Sequence, residues 1–370
     1  MRFSVSQSDF IEALNRVTPA VPSKSTLPIL SNILMQLEGN RLRMVATDLE
    51  ISVLTEIEVT GTKDGGLSVP AKKITDIVRE LEGLEITCSS GESLHLQIEA
   101  GEGSYQVPGI AEQDFPALPE FEGASTVSLP VEKLSSLIQR TSFAVSRDEL
   151  RPALTGVFFQ IRPNEIRCVA TDGHRLVRII DQSFHSEGEP RELIIPAKAL
   201  DMIRRNLKED GDVEIAIGTN QILVKLPDAT LYSRLIEGRY PHYESVIPQE
   251  NHNRLVVARD TLIQAVKRAQ IFANPISRQI VFTLKPEKLE ISAEDVELGS
   301  KGRETVAASY TGEEESIGYN AGYVLDLLRQ VETDDVQFDL GGPTQAGIVR
   351  PTEQKEGEDF LMLIMPVRLA

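Results

Sequence analysis

Tryptophan is absent from this chain, and cysteine occurs only at Cys88 and Cys168. The two thiols sit in separate strand-like runs, with no C-x-x-C pair and no histidine cluster beside them. That pattern excludes a disulfide framework and a metal site, and it fits reduced thiols in the cytosol. Histidine is also scarce, and His95, His185, His242 and His252 give no metal-ligand spacing. No apolar run approaches a membrane span, and Met1-Arg-Phe-Ser-Val lacks the long apolar region of a signal peptide. Neither a Walker loop nor G-x-G-x-x-G occurs, so a nucleotide cofactor has no recognisable cradle. No segment is low-complexity. These absences describe a soluble, cytoplasmic chain with no membrane attachment that calls for no cofactor.

What the chain has is repetition. Ala46-Thr-Asp-Leu-Glu returns as Ala170-Thr-Asp-Gly-His and, more faintly, as Ala293-Glu-Asp-Val-Glu. Asp48, Asp172 and Asp295 stand 124 and 123 residues apart, a period too long for a solenoid unit and the size of a whole domain. Amphipathic openers recur at 9–17, 131–140 and 259–269, and Phe10, Leu14 and Val17 show the helical spacing. Second helical stretches begin at Pro70-Ala-Lys-Lys-Ile, Pro196-Ala-Lys-Ala-Leu and Asn320-Ala-Gly-Tyr-Val. Alternating runs such as 33–37, 42–46 and 51–59, with turn signals such as Glu38-Gly-Asn40, read as antiparallel strands. Two helices and about eight strands per repeat describe an α+β domain, with its helices on one face of an antiparallel sheet. Polar joins before Val127 and Arg254 divide the chain into domains 1–122, 123–248 and 249–370.

The formal charge is −18, which argues against a nucleic-acid partner until it is divided. The helical stretches 9–17, 71–81, 131–140, 197–208, 259–269 and 321–330 hold 14 basic and 8 acidic residues, a balance of +6 that leaves −24 for the rest. Lys and Arg are good helix formers on solvated faces, but Glu is too, so propensity alone does not produce the excess. A basic face on an acidic body suits a molecule that meets phosphate locally and repels it elsewhere.

Thr171-Asp172-Gly173-His174-Arg175 is the one stretch with a catalytic look, because an Asp two residues before a His can orient the imidazole as a general base. Against this, no nucleophile in a motif stands nearby, and the Asp recurs in all three repeats. A scaffold role, capping a turn, is the better reading, and no catalytic residue is expected. Gly173 and His174 occur in one repeat only. The glycine implies positive φ, and Gly-His-Arg-Leu sets a polar rim beside apolar Leu176, which suits a binding pocket. The chain end reads as a last buried strand over 361–364. Pro366 then takes Met365 and Val367 out of the sheet, and adaptable Met suits a groove that accepts varied ligands.

Thr26-Leu-Pro-Ile-Leu30, Ala170-Thr-Asp-Gly-His-Arg-Leu176, Gly238-Arg-Tyr-Pro241 and Met365-Pro-Val-Arg-Leu369 together resemble the bacterial sliding clamps, the beta subunits of DNA polymerase III. The likeness runs in register over the full chain. It implies three tandem clamp-type domains and a head-to-tail homodimer, a six-domain ring whose helices surround double-stranded DNA without reading its sequence. It implies DNA contacts from Lys24, Lys72, Lys73, Arg79, Arg147 and Arg151, and from Lys198, Arg204, Arg205, Lys208, Lys267 and Arg268. A pocket between the second and third domains is implied as well. There the replicative DNA polymerase, the clamp loader and other proteins would dock a short clamp-binding motif. By matching motifs it includes Leu154, Thr171, Gly173, His174, Arg175, Leu176, Pro241 and Val246, and it is closed by Leu363, Met365, Pro366, Val367, Arg368 and Leu369. The dimer interface matches Tyr105, Val107, Ile271 and Phe272. Three features depart from the family pattern. Ser245 stands where some members carry Arg, and Ala370 extends the usual terminal Leu. Glu102, Gly103 and Ser104 precede Tyr105 where some members carry basic residues, which removes ionic support of that kind.

The resemblance implies a non-enzymatic DNA sliding clamp that tethers the replicative polymerase for processivity. The alternative is a peptide-binding adaptor of the same fold without DNA encirclement. A hydrolase using Asp172 and His174 is the third reading, and no such turnover is expected.

Overall fold

The computed structural model describes residues 1–369 except Glu122, Ala124, Glu187, Lys208 and Glu209. The expected DNA contact Lys208 and the terminal Ala370 therefore lie outside the described residues. The first repeat runs β1 (Arg2–Ser6), α1 (Gln7–Val17), β2 (Asn32–Glu38), β3 (Arg41–Thr47), β4 (Ile51–Glu58), β5 (Thr60–Lys63), β6 (Gly65–Pro70), α2 (Ala71–Arg79), β7 (Glu85–Ser90), β8 (His95–Ala100) and β9 (Gly103–Pro108). The second runs β10 (Ser125–Pro130), α3 (Val131–Ser142), β11 (Gly156–Arg162), β12 (Glu165–Thr171), β13 (Arg175–Asp181), β14 (Arg191–Pro196), α4 (Ala197–Arg205), β15 (Asp212–Ile217), β16 (Gln221–Lys225) and β17 (Thr230–Arg234). The third runs β18 (Asn253–Ala258), α5 (Arg259–Ala269), β19 (Gln279–Lys285), β20 (Lys288–Asp295), β21 (Ser300–Tyr310), β22 (Glu315–Asn320), α6 (Ala321–Leu328), β23 (Asp335–Leu340), β24 (Gly347–Pro351) and β25 (Glu358–Ile364).

Helix α1 begins where the Ser6 hydroxyl accepts the Asp9 N–H, and it buries Phe10, Ala13, Leu14 and Val17 along one face. Helices α2, α4 and α6 end short of the expected 81, 208 and 330. Their last turns tighten to 3₁₀-type bonds, Glu80 N–H to Ile77 C=O, Asn206 to Ile203 and Gln330 to Leu327.

Two compact units divide the middle repeat between them. The first, Met1–Ser135 with Lys198–Leu235, holds one sheet in the order β5-β1-β7-β8-β9 and another in the order β10-β15-β16-β17-β4-β3-β2-β6. The second, Ser136–Ala197 with the chain from Ile236 onward, holds a sheet in the order β14-β11-β12-β13-β25-β24-β23-β18-β21-β20-β19-β22. Neighbouring strands pair antiparallel throughout. In each unit the closing strand of one repeat completes the sheet of the repeat before it. In the first unit β17 pairs with β4, Leu231 opposite Val53, and in the second β25 pairs with β13, Leu361 opposite Arg178. Two strands lack that completion among the described residues. Strand β9 is the outer strand of its sheet. Strand β21 pairs with β20 along Ser300–Ala307, but it meets β18 only at 308–310.

Candidate functional site

The recurring aspartates do the same work in all three repeats. Asp48 Oδ1 accepts the N–H groups of Glu50 and Ile51 at 3.1 and 2.7 Å, and Asp172 Oδ1 accepts those of His174 and Arg175 at 2.8 and 3.0 Å. Asp295 Oδ1 accepts those of Glu297 and Leu298 at 3.0 and 3.3 Å. Each is an Asx turn, in which a side chain supplies the acceptor that the turning backbone lacks. Thr47 and Thr171 double the wiring, each hydroxyl accepting the N–H two residues on (Leu49, Gly173) and donating to the carbonyl four on (Ile51, Arg175). The third repeat has Glu294 in place of that threonine.

The Asp172 turn carries more than the others. Its Oδ2 accepts Arg175 Nε at 3.2 Å. The same guanidinium gives Nη1 to Asp326 at 2.6 Å and Nη2 to the Phe143 carbonyl at 2.8 Å, and it lies 4.7 Å from the Tyr323 ring centroid. Arg175 is buried behind the turn with its fork engaged, so it positions the turn and does not face outward. The Asp172 carboxylate is occupied in the same way and leaves the imidazole unoriented. The exposed His174 ring lies over Tyr323 instead, 6.0 Å between centroids and 19° between planes. Burial, and then the Asp172 charge, push the Tyr323 phenol up. Gly173 has φ +91, the conformation expected of it.

The chain end meets this turn. Met365 N–H donates to the His174 carbonyl, and Val367 pairs with Gly318, both at 2.8 Å. A Cβ at Gly318 would stand 2.6 Å from the Val367 carbonyl oxygen, so only glycine admits the tail there. The chain leaves β25 after Ile364, and beyond Pro366 the tail bridges to β22 at Gly318. Leu154, Leu176 and Leu363 belong to one buried cluster with Phe158, Tyr240 and Ile348, and the Tyr240 ring stacks on Phe158 at 4.7 Å. Pro241 and Val246 are exposed at the edge of this cluster, with Met365, Arg368 and Leu369 exposed on the tail. Ser245 turns back on itself, its hydroxyl donating to the His242 carbonyl. Thr171, Gly173, His174, Leu176 and the tail thus converge with apolar side chains beneath and polar groups around.

Tyr323, Asp326, Phe143 and Tyr240 escaped sequence reasoning. One signal was available: the second helix follows a proline in two repeats and Asn320 in the third. The Asn320 side chain caps α6 by accepting the Tyr323 N–H.

The described basic residues expected at DNA are all exposed. Several are held by acids of their own unit: Lys198 by Asp48 at 2.5 Å, Arg205 by Asp201 at 2.8 Å, and Arg79, Arg151, Arg204 and Arg268 likewise. Lys24, Lys72, Lys73, Arg147 and Lys267 form no ion pair among the described residues. Of the expected interface residues, Ile271 is 75% exposed, and Tyr105 and Phe272 are partly exposed. Phe272 packs closely on Gly302 of β21, where a Cβ would collide with the ring. Val107 departs from expectation. It pairs with buried Leu96 on β8 and is 0% exposed, so it offers no surface of its own.

Family models for the DNA polymerase III beta subunit match the chain three times: the N-terminal domain over residues 1–119, the central domain over 128–242 and the C-terminal domain over 244–368. A beta sliding clamp of Chlamydia pneumoniae is 32% identical over 376 residues, covering 100% of this chain and 99% of the relative. One from Pseudomonas aeruginosa is 31% identical over 372 residues, with full coverage of both. Among solved structures, the DnaN sliding clamp of Bartonella birtlesii bound to griselimycin has a TM-score of 0.93 at 32% identity, and a sliding clamp of Bacillus subtilis has 0.92 at 28%, each covering 100% of both chains. No helix among the described residues is long and apolar enough to cross a membrane. The chain belongs to the DNA polymerase III beta subunit family, the beta sliding clamps, and carries that family's three domains in tandem.

Proposed function

We propose that two copies close head to tail into a ring around duplex DNA and tether the replicative polymerase, with domains 1–122, 123–248 and 249–370 as its segments. The observation that carries this reading is the division of charge. A chain of net charge −18 keeps Lys24, Lys72, Lys73, Arg147 and Lys267 exposed and free of ion pairs among the described residues. Long cationic side chains on phosphate carry no sequence information and permit sliding, so retention comes from topology. The free edges of β9 and of Ser300–Ala307 on β21 support the closure, with Tyr105 of one copy meeting Ile271 and Phe272 of the other. Such edges are otherwise an aggregation liability.

Partner proteins, among them the polymerase and the clamp loader, dock a short extended peptide on the surface formed by Thr171, Gly173, His174 and the tail, with buried Leu176 beneath it. No catalysis is proposed, because Asp172 serves the turn and Arg175. A chain with this role works at the chromosome, in the cytoplasm. The test is retention: the protein is loaded onto nicked circular plasmid with a bacterial clamp loader, the salt is raised, and half the sample is linearised. Loss from the linear half alone is expected, and equal retention on both forms would overturn the ring. The internal pairing of Lys198, Arg204 and Arg205 favours the adaptor reading, and neutralising Lys24, Lys72, Lys73, Arg147 and Lys267 together separates the two. A clamp loses DNA retention and keeps peptide binding.

A further inference from the structure

Arg16, Arg140 and Arg268 hold the same place at the end of the first helix of each repeat. Phe10, Leu14 and Val17 of α1 match Leu134, Ile138 and Thr141 of α3, and Leu262, Val266 and Ala269 of α5, all buried. In the first unit Arg16 Nη2 contacts Glu12 at 2.5 Å and Asp228 at 3.4 Å. Asp228 stands just before β17, the strand that completes the sheet at β4, and its carbonyl accepts the Thr55 hydroxyl of β4 at 2.6 Å. In the second unit Arg140 Nη1 contacts Glu358 at 2.7 Å, with its guanidinium 3.9 Å from the Phe360 ring centroid. Glu358 opens β25, the strand that completes the sheet at β13. Wherever a closing strand arrives, this arginine meets a carboxylate at that strand's beginning. The two side chains are accordingly 19% and 7% exposed.

Arg268 breaks the pattern. Its Nε and Nη2 hold Glu304 of its own β21 at 2.9 and 2.7 Å, its side chain is 55% exposed, and Nη1 has no partner among the described residues. Glu304 stands four residues into β21, the place that Thr55 holds in β4, where the Asp228 turn docks. The closing strand still without a sheet to complete is β9, and the exposed residue directly before it is Glu102.

We infer that Arg268 of one copy binds Glu102 of a second copy through its free nitrogen while it keeps Glu304, so that a Glu304–Arg268–Glu102 bridge is the ionic latch of the closed ring. The inference rests on the homodimer reading and adds the polarity of its charges, with the acid on the first domain and the base on the third. Without Arg268, the arrival of Glu102 would set two carboxylates side by side, and like charges across an interface select against association. Arg suits the place because its planar fork serves two carboxylates at once.

The test is a charge exchange in the full chain, read as the dimer dissociation constant by sedimentation equilibrium at low salt. R268E and E102R are each expected to weaken the dimer about tenfold or more, and the double variant to return to within about threefold of the parent. Single variants that dimerise like the parent, or a double variant as weak as the sum of both, would overturn the latch and leave the ring standing. A parent chain that stays monomeric at every concentration overturns both. The exchange also guards against a folding artefact, since a misfolded single variant is not rescued by a second reversal.

Discussion

In the turn after Asp48 the residue at positive φ is Leu49, and a lysine from α4, Lys198, holds the second carboxylate oxygen. In the turn after Asp172 it is Gly173, and Arg175 of the turn itself holds that oxygen while reaching Asp326 and Phe143. The threonine and aspartate wiring is common to both. The difference teaches where a scaffold becomes a site. The first turn is fastened from outside by a half-exposed lysine. The second is fastened from within by a buried fork, which frees its outer face for His174 and the tail.

The largest break in that comparison is Arg175→Ala. It leaves Asp172 without its cation in a mostly buried setting and Asp326 with Arg329 alone, a loss of about 3–5 kcal/mol. Lys198→Ala removes a partly exposed pair and costs about 1 kcal/mol or less. Urea midpoints of the two variants measure both effects, and equal shifts would sink the distinction. Next in size is the swap at the corner. Gly173→Leu forces a branched side chain to φ +91 at a cost of about 1–2 kcal/mol, whereas Leu49→Gly relieves the same strain and loses little. Peptide binding should fall for the first and stay unchanged for the second. The smallest effect belongs to Tyr323→Leu. Loss of the ring under His174 should weaken a labelled clamp-binding peptide by about 0.5–1.5 kcal/mol in an anisotropy titration. No loss would place Tyr323 outside the docking surface.

The helices and most strands were legible because their apolar residues repeat with periods of 3.6 and 2, and α5 coincides with its expected range 259–269. The capping role of the aspartates was legible from their recurrence alone. The split of the middle repeat was not, because the pairing of Leu231 with Val53 and of Leu361 with Arg178 leaves no local pattern. The Arg175 clamp was hidden for the same reason. Asp326 lies 151 residues away on α6, where an acid reads as one more solvated helix residue. Val107 misled because the resemblance alone placed it at the interface, and a matched apolar residue does not say which neighbour covers it.

The pairing of β13 with β25 also sets a schedule. Arg175 and Ile364 are partners 189 residues apart, so a chain made from its N-terminus completes β4 with β17 while β13 is still waiting. At ordinary elongation rates the wait lasts roughly 10–40 s. During it Val177 and Ile179, both buried in the finished sheet, line a strand with an open edge, the template for pairing with another nascent chain. Polysomes translating this message hold several such edges near one another, so β25 is the segment whose late arrival decides between folding and co-aggregation.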